Sequence, residues 1–358
     1  MKNFRKISTW ILATVLTGFF LLSCNKDEPY TIDCSDGVFI VNEGAFGSSN
    51  GSVSFYSNTN DIVTNDVFAK VNGYQLGDVV QSLTVAGDSV FIVVNNSNKI
   101  VAAHIKTMIS TKNTITGVAQ PRYMVAKNKT AFVSCWGDNS VKVIDLNTFS
   151  VTGSINTDGY GPDKMLLKNN KLYVLNSNDS TVAVINTADN SVLSHIVVPY
   201  NPKDIVEDKN GSIWVLSYGN ELYNSDWTEI IGHTPSYLYK IDPLSDVVIA
   251  TLELFADKHP MHLEIDKDGS TMFIGGGYTF GGIYKVSVSG LNLDIQEMSG
   301  DFAYGLHADP VSGVLFVSLS GDYKSGGTLK RYQNDGTLLG TYTCGIGTSG
   351  AAFKNTGK

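Results

Sequence analysis

The chain holds six histidines and four cysteines, and the familiar catalytic spacings are missing. There is no Gly-x-Ser-x-Gly elbow, no Cys-x-x-Cys-His for covalent haem, no His-Glu-x-x-His for zinc and no Gly-x-x-x-x-Gly-Lys phosphate loop. Gly275-Gly276-Gly277 precedes no helical pattern and reads as a loop. His259 and His262 lie three apart across Pro260 and could ligate a metal, but no carboxylate-rich set accompanies them, so a structural role is expected and neither metal nor cofactor is implied. Asp145, Asn186 and Asp242 recur at matching positions of a repeat, which marks turn residues. What remains is aromatic and amide chemistry. Phe46, Tyr74, Asn96, Arg122, Trp136, Asn139, Tyr160, Tyr200, Tyr218, Trp227, Tyr278, Phe280, Phe302 and Tyr323 stand in polar, glycine-rich surroundings. Tyr and Trp among Gly and Asn suit the grip of a large, partly apolar ligand. Packing between repeats is the competing role for any one of these rings.

The elements that must position them come from a repeat. Pro121–Ile155 and Pro162–Ile196 superpose with a shift of 41, placing Met124 on Met165, Phe132 on Tyr173 and Val143-Ile144-Asp145 on Val184-Ile185-Asn186. Short alternating apolar runs separated by Asn, Asp, Gly and Lys predict four strands per unit. One small sheet cannot bury its faces until neighbours stack around an axis, so the unit is a propeller blade. An aromatic on the second strand counts seven blades: Phe39, Phe91, Phe132, Tyr173, Trp214, Phe273 and Phe316. The expected fold is an all-β, seven-bladed β-propeller, closed by Thr348–Phe353 joining the blade begun by Val38–Asn42. In such blades the loop between strands two and three and the connection between blades fall on one end of the ring. That end carries all of the aromatic candidates above, together with Glu43, Tyr223, His259, His262 and Tyr304. Opposite turns such as Ala86-Gly87-Asp88 and Lys168-Asn169-Asn170 carry none.

A net charge of −8 with a pI near 5.2 leaves no basic patch to release counterions from a phosphate backbone, which argues against nucleic acid. No amphipathic helix is expected after residue 24. Residues 1–23 combine Lys2, Arg5 and Lys6 with an apolar run from Trp10 to Leu22 and read as a secretory signal. Leu21-Leu22-Ser23-Cys24 resembles a bacterial lipobox, with Cys24 as the acylated residue and 24–36 as a tether ahead of a propeller over 37–358. Three acyl chains at about 0.8 kcal/mol per methylene would hold the membrane durably. A Cys34–Cys344 bridge would lock the ring, but the strand directions set the two on opposite faces, beyond the roughly 7 Å a disulfide spans. Cys135 reads as a small apolar filler.

Val-x-Val-Ile-Asp/Asn with a terminal Val-x-x-x-Ile resembles the YVTN/YncE-type propeller repeat over about residues 80–255. Phe39-Ile40-Val41-Asn42-Glu43-Gly44-Ala45-Phe46-Gly47, followed by Gly51-Ser52-Val53-Ser54-Phe55-Tyr56, is similar to the start of Bacteroidetes surface propeller lipoproteins of the DUF5074 type. Asn25-Lys26-Asp27-Glu28 resembles their surface-export signal. That group includes lipoproteins that capture cobalamin for a TonB-dependent outer-membrane transporter. The resemblance implies a non-enzymatic, outer-membrane, lipid-anchored capture protein for a corrinoid, with Asn96, Asn139 or backbone groups on ligand amides and Trp136, Trp227 and Tyr278 on its apolar edges. An exported propeller enzyme, a lyase or oxidoreductase with a metal or quinone, and a protein-recognition scaffold are the other readings.

Overall fold

Asn, Asp and Gly punctuate the alternating runs because their side chains, or lack of one, accept the tight turns that the runs require. Asp145 Oδ1 accepts from Asn147 N (2.8 Å), Asn186 Oδ1 from Ala188 N (3.0 Å) and Asp242 Oδ1 from Leu244 N (3.1 Å). These recurring residues are turn locks, as expected. The computed structural model describes residues 29–277, 280–289 and 292–354. Cys24, the leader and Tyr278 lie outside them.

Within the described residues, seven four-stranded antiparallel sheets form the blades of a β-propeller. Blade three is typical, with strands Pro121–Lys127, Thr130–Cys135, Ser140–Asp145 and Ser150–Asn156 from the axis outward. Blade one is composite. Thr348–Ala352 forms its inner strand and pairs with Gly37–Asn42 in the register Phe39↔Ala352, Val41↔Gly350, so the last strand closes the ring against the first. The seven counted aromatics all sit on second strands with at most 2% of their surface exposed, filling the wedges between blades. Each such ring stabilises the ring by about 1.5–3 kcal/mol through burial.

Two departures from expectation lie in insertions. A helix, Val67–Asn72, joins blades one and two, burying Val67 and Phe68 and ending at Gly73, whose φ of 77° places it in the left-handed region. Six residues are too few for a 3.6-residue period to show, so no helix was legible there. The long loop of blade five folds into a hairpin, Asn220–Tyr223 with Ile230–Thr234. Cys34, Cys135 and Cys344 are buried and free, and burial pushes each thiol up to about 12. Cys34 donates its backbone N–H to Lys106 O at 2.7 Å and joins the core between blades one and two, so the end of the expected tether is packed on the propeller.

Candidate ligand-binding site

Three inner strands open with proline followed by charge: Pro121-Arg122, Pro162-Asp163-Lys164 and Pro202-Lys203-Asp204. Proline suits a strand's first residue because its missing N–H falls before the ladder begins. The charged residues next to it reach across to the neighbouring blade. Arg122 of blade three meets Asp163 of blade four (Nη2–Oδ2 3.4 Å), and Lys164 of blade four meets Asp204 of blade five (3.2 Å). His307 Nδ1 of blade seven faces Glu264 Oε1 of blade six at 3.2 Å, and Tyr304 OH donates to Glu43 Oε2 of blade one at 3.0 Å. Arg122 also donates to Gln81 of blade two. These pairs form a belt around the axis that links blades two to three, three to four, four to five, six to seven and seven to one.

The belt is electrically matched. Burial alone would raise the Asp204 carboxyl, but Lys164, His262 and the Leu263 N–H hold it below the usual carboxylate range. Burial alone would lower the Lys164 ammonium, yet Asp204, Tyr123 and Glu264 raise it above its ordinary value. Both directions keep the pair charged. Glu43 differs: burial pushes its carboxyl up despite the Tyr304 hydrogen bond.

Inside the belt is a cavity of about 530 Å³, lined among others by Glu43, Arg122, Tyr123, Trp136, Lys164, His262, Tyr304 and His307. Ligand pockets typically span about 300–1,000 Å³. A shallower recess of about 480 Å³ shares Glu43, Gln81, Arg122 and Tyr304 and adds Phe46 and Tyr323. The Arg122 guanidinium carbon lies 3.9 Å from the centre of a Trp136 ring, a cation–π contact that fixes the indole. His262 Nε2 donates to the Tyr304 carbonyl at 2.9 Å. Its ring lies against Gly276, where a Cβ would come within 2.1 Å of His262 Cδ2, so a side chain there would displace the imidazole.

The aromatic loops gather at one end, as the topology requires. The same backbone bond recurs between the second-to-third-strand loop and the inter-blade loop in blades two to five: Asn95 N to Val79 O, Trp136 N to Gln120 O, Ser177 N to Gly161 O and Tyr218 N to Asn201 O. On this end Phe46 is 80% exposed, Trp227 77%, Tyr160 68% and Phe302 62%, and Tyr200 and Tyr223 are also exposed. Trp227 stacks on Tyr223 and Tyr200 on Tyr237.

The expected site residues divide accordingly. Arg122 and Trp136 line the cavity, and Arg122, Phe46 and Tyr323 the recess. Tyr160, Tyr200, Trp227 and Phe302 stand on the rim without lining either. Asn96 donates to Asp78, which in turn takes the Gly47 N–H, and Asn139 Oδ1 takes the Gly161 N–H at 3.0 Å, so both amides hold loops together. Phe280 is 2% exposed and packs on Phe255 and Tyr284. Tyr74 turns along the flank, edge-on to Phe68, with its hydroxyl 3.0 Å from Ser110 Oγ at the foot of an outer strand. Tyr218 stacks on His259 (4.9 Å). His259 donates from Nδ1 to the Tyr218 carbonyl (2.7 Å) and faces His233 through Nε2 (3.0 Å), while His262 turns to Tyr304, so the two histidines three apart serve different partners. Among the described residues no three His, Cys, Asp or Glu side chains gather as a metal site.

Sequence reasoning missed the belt residues Lys164, Asp204, Glu264 and His307 and the place of His262 at its centre. The signal for half of them was the charge following each inner-strand proline.

Among solved structures, the chain is similar to a quinonprotein alcohol dehydrogenase-like protein from Bacteroides thetaiotaomicron (16% identity, TM-score 0.64, 90% of this chain and 79% of that one). It is also similar to a periplasmic gluconolactonase from Pseudomonas aeruginosa (13%, 0.63, 88% and 98%) and to hydrazine synthase from Kuenenia stuttgartiensis (15%, 0.63, 78% and 92%). At these identities the likeness shows the fold alone. No curated protein matches the chain by sequence. The domain of unknown function DUF5074 matches residues 36–253, over half of the chain, and the protein therefore belongs to the DUF5074 family.

Proposed function

We propose that this propeller is a non-enzymatic capture protein that binds a large, neutral, amide-bearing small molecule of the corrinoid class, such as cobalamin, on its loop-bearing end. The carrying observation is the gathering of exposed rings, Phe46, Tyr160, Tyr200, Trp227 and Phe302, at the end where the cavity and the recess share Arg122 and Tyr304. The belt supports a neutral ligand, because the two cations that line the cavity, Arg122 and Lys164, are already paired with the carboxylates of Asp163 and Asp204. The lipobox-like Leu21-Leu22-Ser23-Cys24 extends the proposal to a lipid-anchored protein at the outer membrane, facing outward and handing its ligand to a TonB-dependent transporter. Calorimetric titration of the purified chain with cyanocobalamin tests the reading. A dissociation constant below about 1 μM supports it, and no heat at tenfold excess over roughly 10 μM protein, where micromolar binding would register, rejects it.

One observation favours a second reading. His307, held by Glu264, has the arrangement of a general base, and one similar structure is called a gluconolactonase. Lactone hydrolysis that exceeds background and is lost in His307→Gln would support an enzyme; no turnover in the intact protein dismisses it.

A further inference from the structure

Charged groups away from bulk water are normally paired, so one without its opposite asks for an explanation. Four of the titratable side chains that line the cavity face a carboxylate: Arg122 that of Asp163, Lys164 and His262 that of Asp204, and His307 that of Glu264. Glu43 differs. Among the described residues it forms no ion pair, and its one side-chain hydrogen bond comes from the Tyr304 hydroxyl to Oε2 at 3.0 Å. Arg122 and His262 attract it only at longer range.

The backbone of Glu43 is already engaged. Its N–H donates to Gly347 O at 2.8 Å and its carbonyl accepts from Val80 N at 3.3 Å, which pins this loop between the approach to the closing strand and blade two. Glu43 nevertheless lines both the cavity and the recess, and so does Tyr304, whose hydroxyl holds the carboxyl. The carboxyl is therefore what the residue presents to the wall that the two spaces share, with Oε1 free of any partner among the described residues.

Water serves Oε1 while this end is open. A ligand that covers the end removes that water, and a carboxylate stripped of its solvation without a replacement is costly. What the ligand brings to Oε1 then decides binding. A carboxylate cannot donate and repels. A ketone or ester has no donor to offer. An ammonium donates but must lose its own hydration, which the ion pair roughly offsets. An uncharged N–H gives up less water and gains a charge-assisted hydrogen bond.

We infer that Glu43 is a specificity residue of the loop-bearing end: held by Tyr304, its carboxylate takes an uncharged N–H donor of the amide class from the ligand and turns away ligands that bring an acid or a bare carbonyl to the same place. The inference rests on the capture reading above and deepens it. Rim rings bind by the area they cover and do not tell an amide from an acid, whereas a site built to bond an N–H rejects the analogue lacking it.

The test uses the full chain and two probe sets. In ligand-observed NMR at millimolar concentration, benzamide is compared with acetophenone, which has its shape without the N–H, and with benzoate and benzylamine. In calorimetry, the chain is titrated with cyanocobalamin. Both sets are repeated on Glu43→Gln, which keeps the size of the side chain and an oxygen for Tyr304 but not the charge, and on Tyr304→Phe, which serves if the first variant fails to fold. The expected result is benzamide binding at least about fivefold tighter than acetophenone or benzoate, with benzylamine no tighter than benzamide. Glu43→Gln should weaken benzamide and cyanocobalamin by about threefold to tenfold, the range of one hydrogen bond, while benzoate gains affinity. Tyr304→Phe should narrow the preference for amide over acid. Opposite shifts for amide and acid separate a filter from a general disturbance of the loop. Equal binding of benzamide and acetophenone, tighter binding of benzylamine, no benzamide binding, or a preference untouched by both variants overturns the inference. If benzamide behaves as expected while cyanocobalamin does not bind, the filter stands and the corrinoid reading falls. If cyanocobalamin binds and both probe sets are indifferent to the variants, capture stands and the filter falls.

Discussion

Replacing Lys164 with Met tests whether the belt holds the wheel together. Lys164 Nζ lies 3.2 Å from Asp204 Oδ2, and the Asp204 side chain is only 3% exposed. The same carboxylate accepts the Leu263 N–H at 3.1 Å, so it cannot turn outward without breaking the contact between blades five and six. Removing one partner of a buried pair costs about 3–5 kcal/mol, because it strands the other charge. For a chain of this size that corresponds to a melting point lower by roughly 4–7 °C. The deficit must depend on pH. In the intact protein Asp204 is held below its ordinary range, so its contribution is present at neutral pH and is lost as pH falls through that lowered value. Without Lys164, burial wins, the carboxyl rises, and the variant recovers by taking up a proton. Calorimetric melts at pH 7 and pH 4 should therefore show the gap narrowing, and Lys164→Met/Asp204→Asn should regain more than half of it at pH 7. A gap below about 1 kcal/mol at pH 7, the range of an exposed pair, or one independent of pH, would refute the reasoning.

Other consequences follow from single residues. Trp214, buried in blade five with Nε1 2.9 Å from Asp208 Oδ2, should lose about 3–5 kcal/mol on truncation to Ala; denaturant melts check this, and a loss under 1 kcal/mol contradicts the wedge role of the second-strand aromatics. Trp227→Ala should leave the melting point within a degree or two, as an exposed ring does, yet weaken cyanocobalamin binding severalfold by calorimetry; unchanged affinity removes the blade-five hairpin from the site. Cys34, Cys135 and Cys344 should resist a thiol reagent at pH 8 until the protein is unfolded, since burial holds their thiols near 12; rapid native labelling of any of the three would place it at a mobile surface.

The wheel was legible because its rule is local. Alternation gives strands, Asn and Asp mark turns, and one aromatic per blade counts the copies through to closure by Thr348–Ala352. Which loops share an end is a property of four-stranded blades, so the aromatic rim could be placed before any coordinates. The fate of single rings could not, because it depends on neighbours distant in sequence. Phe280 is buried by Phe255 and Tyr284, and Tyr74 is drawn aside by Phe68 and Ser110. The belt was half visible: proline followed by charge recurs at Pro121, Pro162 and Pro202, but His262, Glu264 and His307 carry the pattern on without an adjoining proline. Pairing such residues needs the closed ring, since each partner lies about one blade away, as Lys164 does from Asp204.

Hydrogen exchange with and without saturating cyanocobalamin tests most directly whether the ligand sits on the loop-bearing end. The account predicts slowed exchange in the loops around Phe46, Trp136, Tyr160, Trp227 and Tyr304, with no change in the turns at Gly87, Asn128, Asn169 and Gly269 at the other end. Protection at those turns, or none at either end under conditions where the ligand is bound, would contradict it.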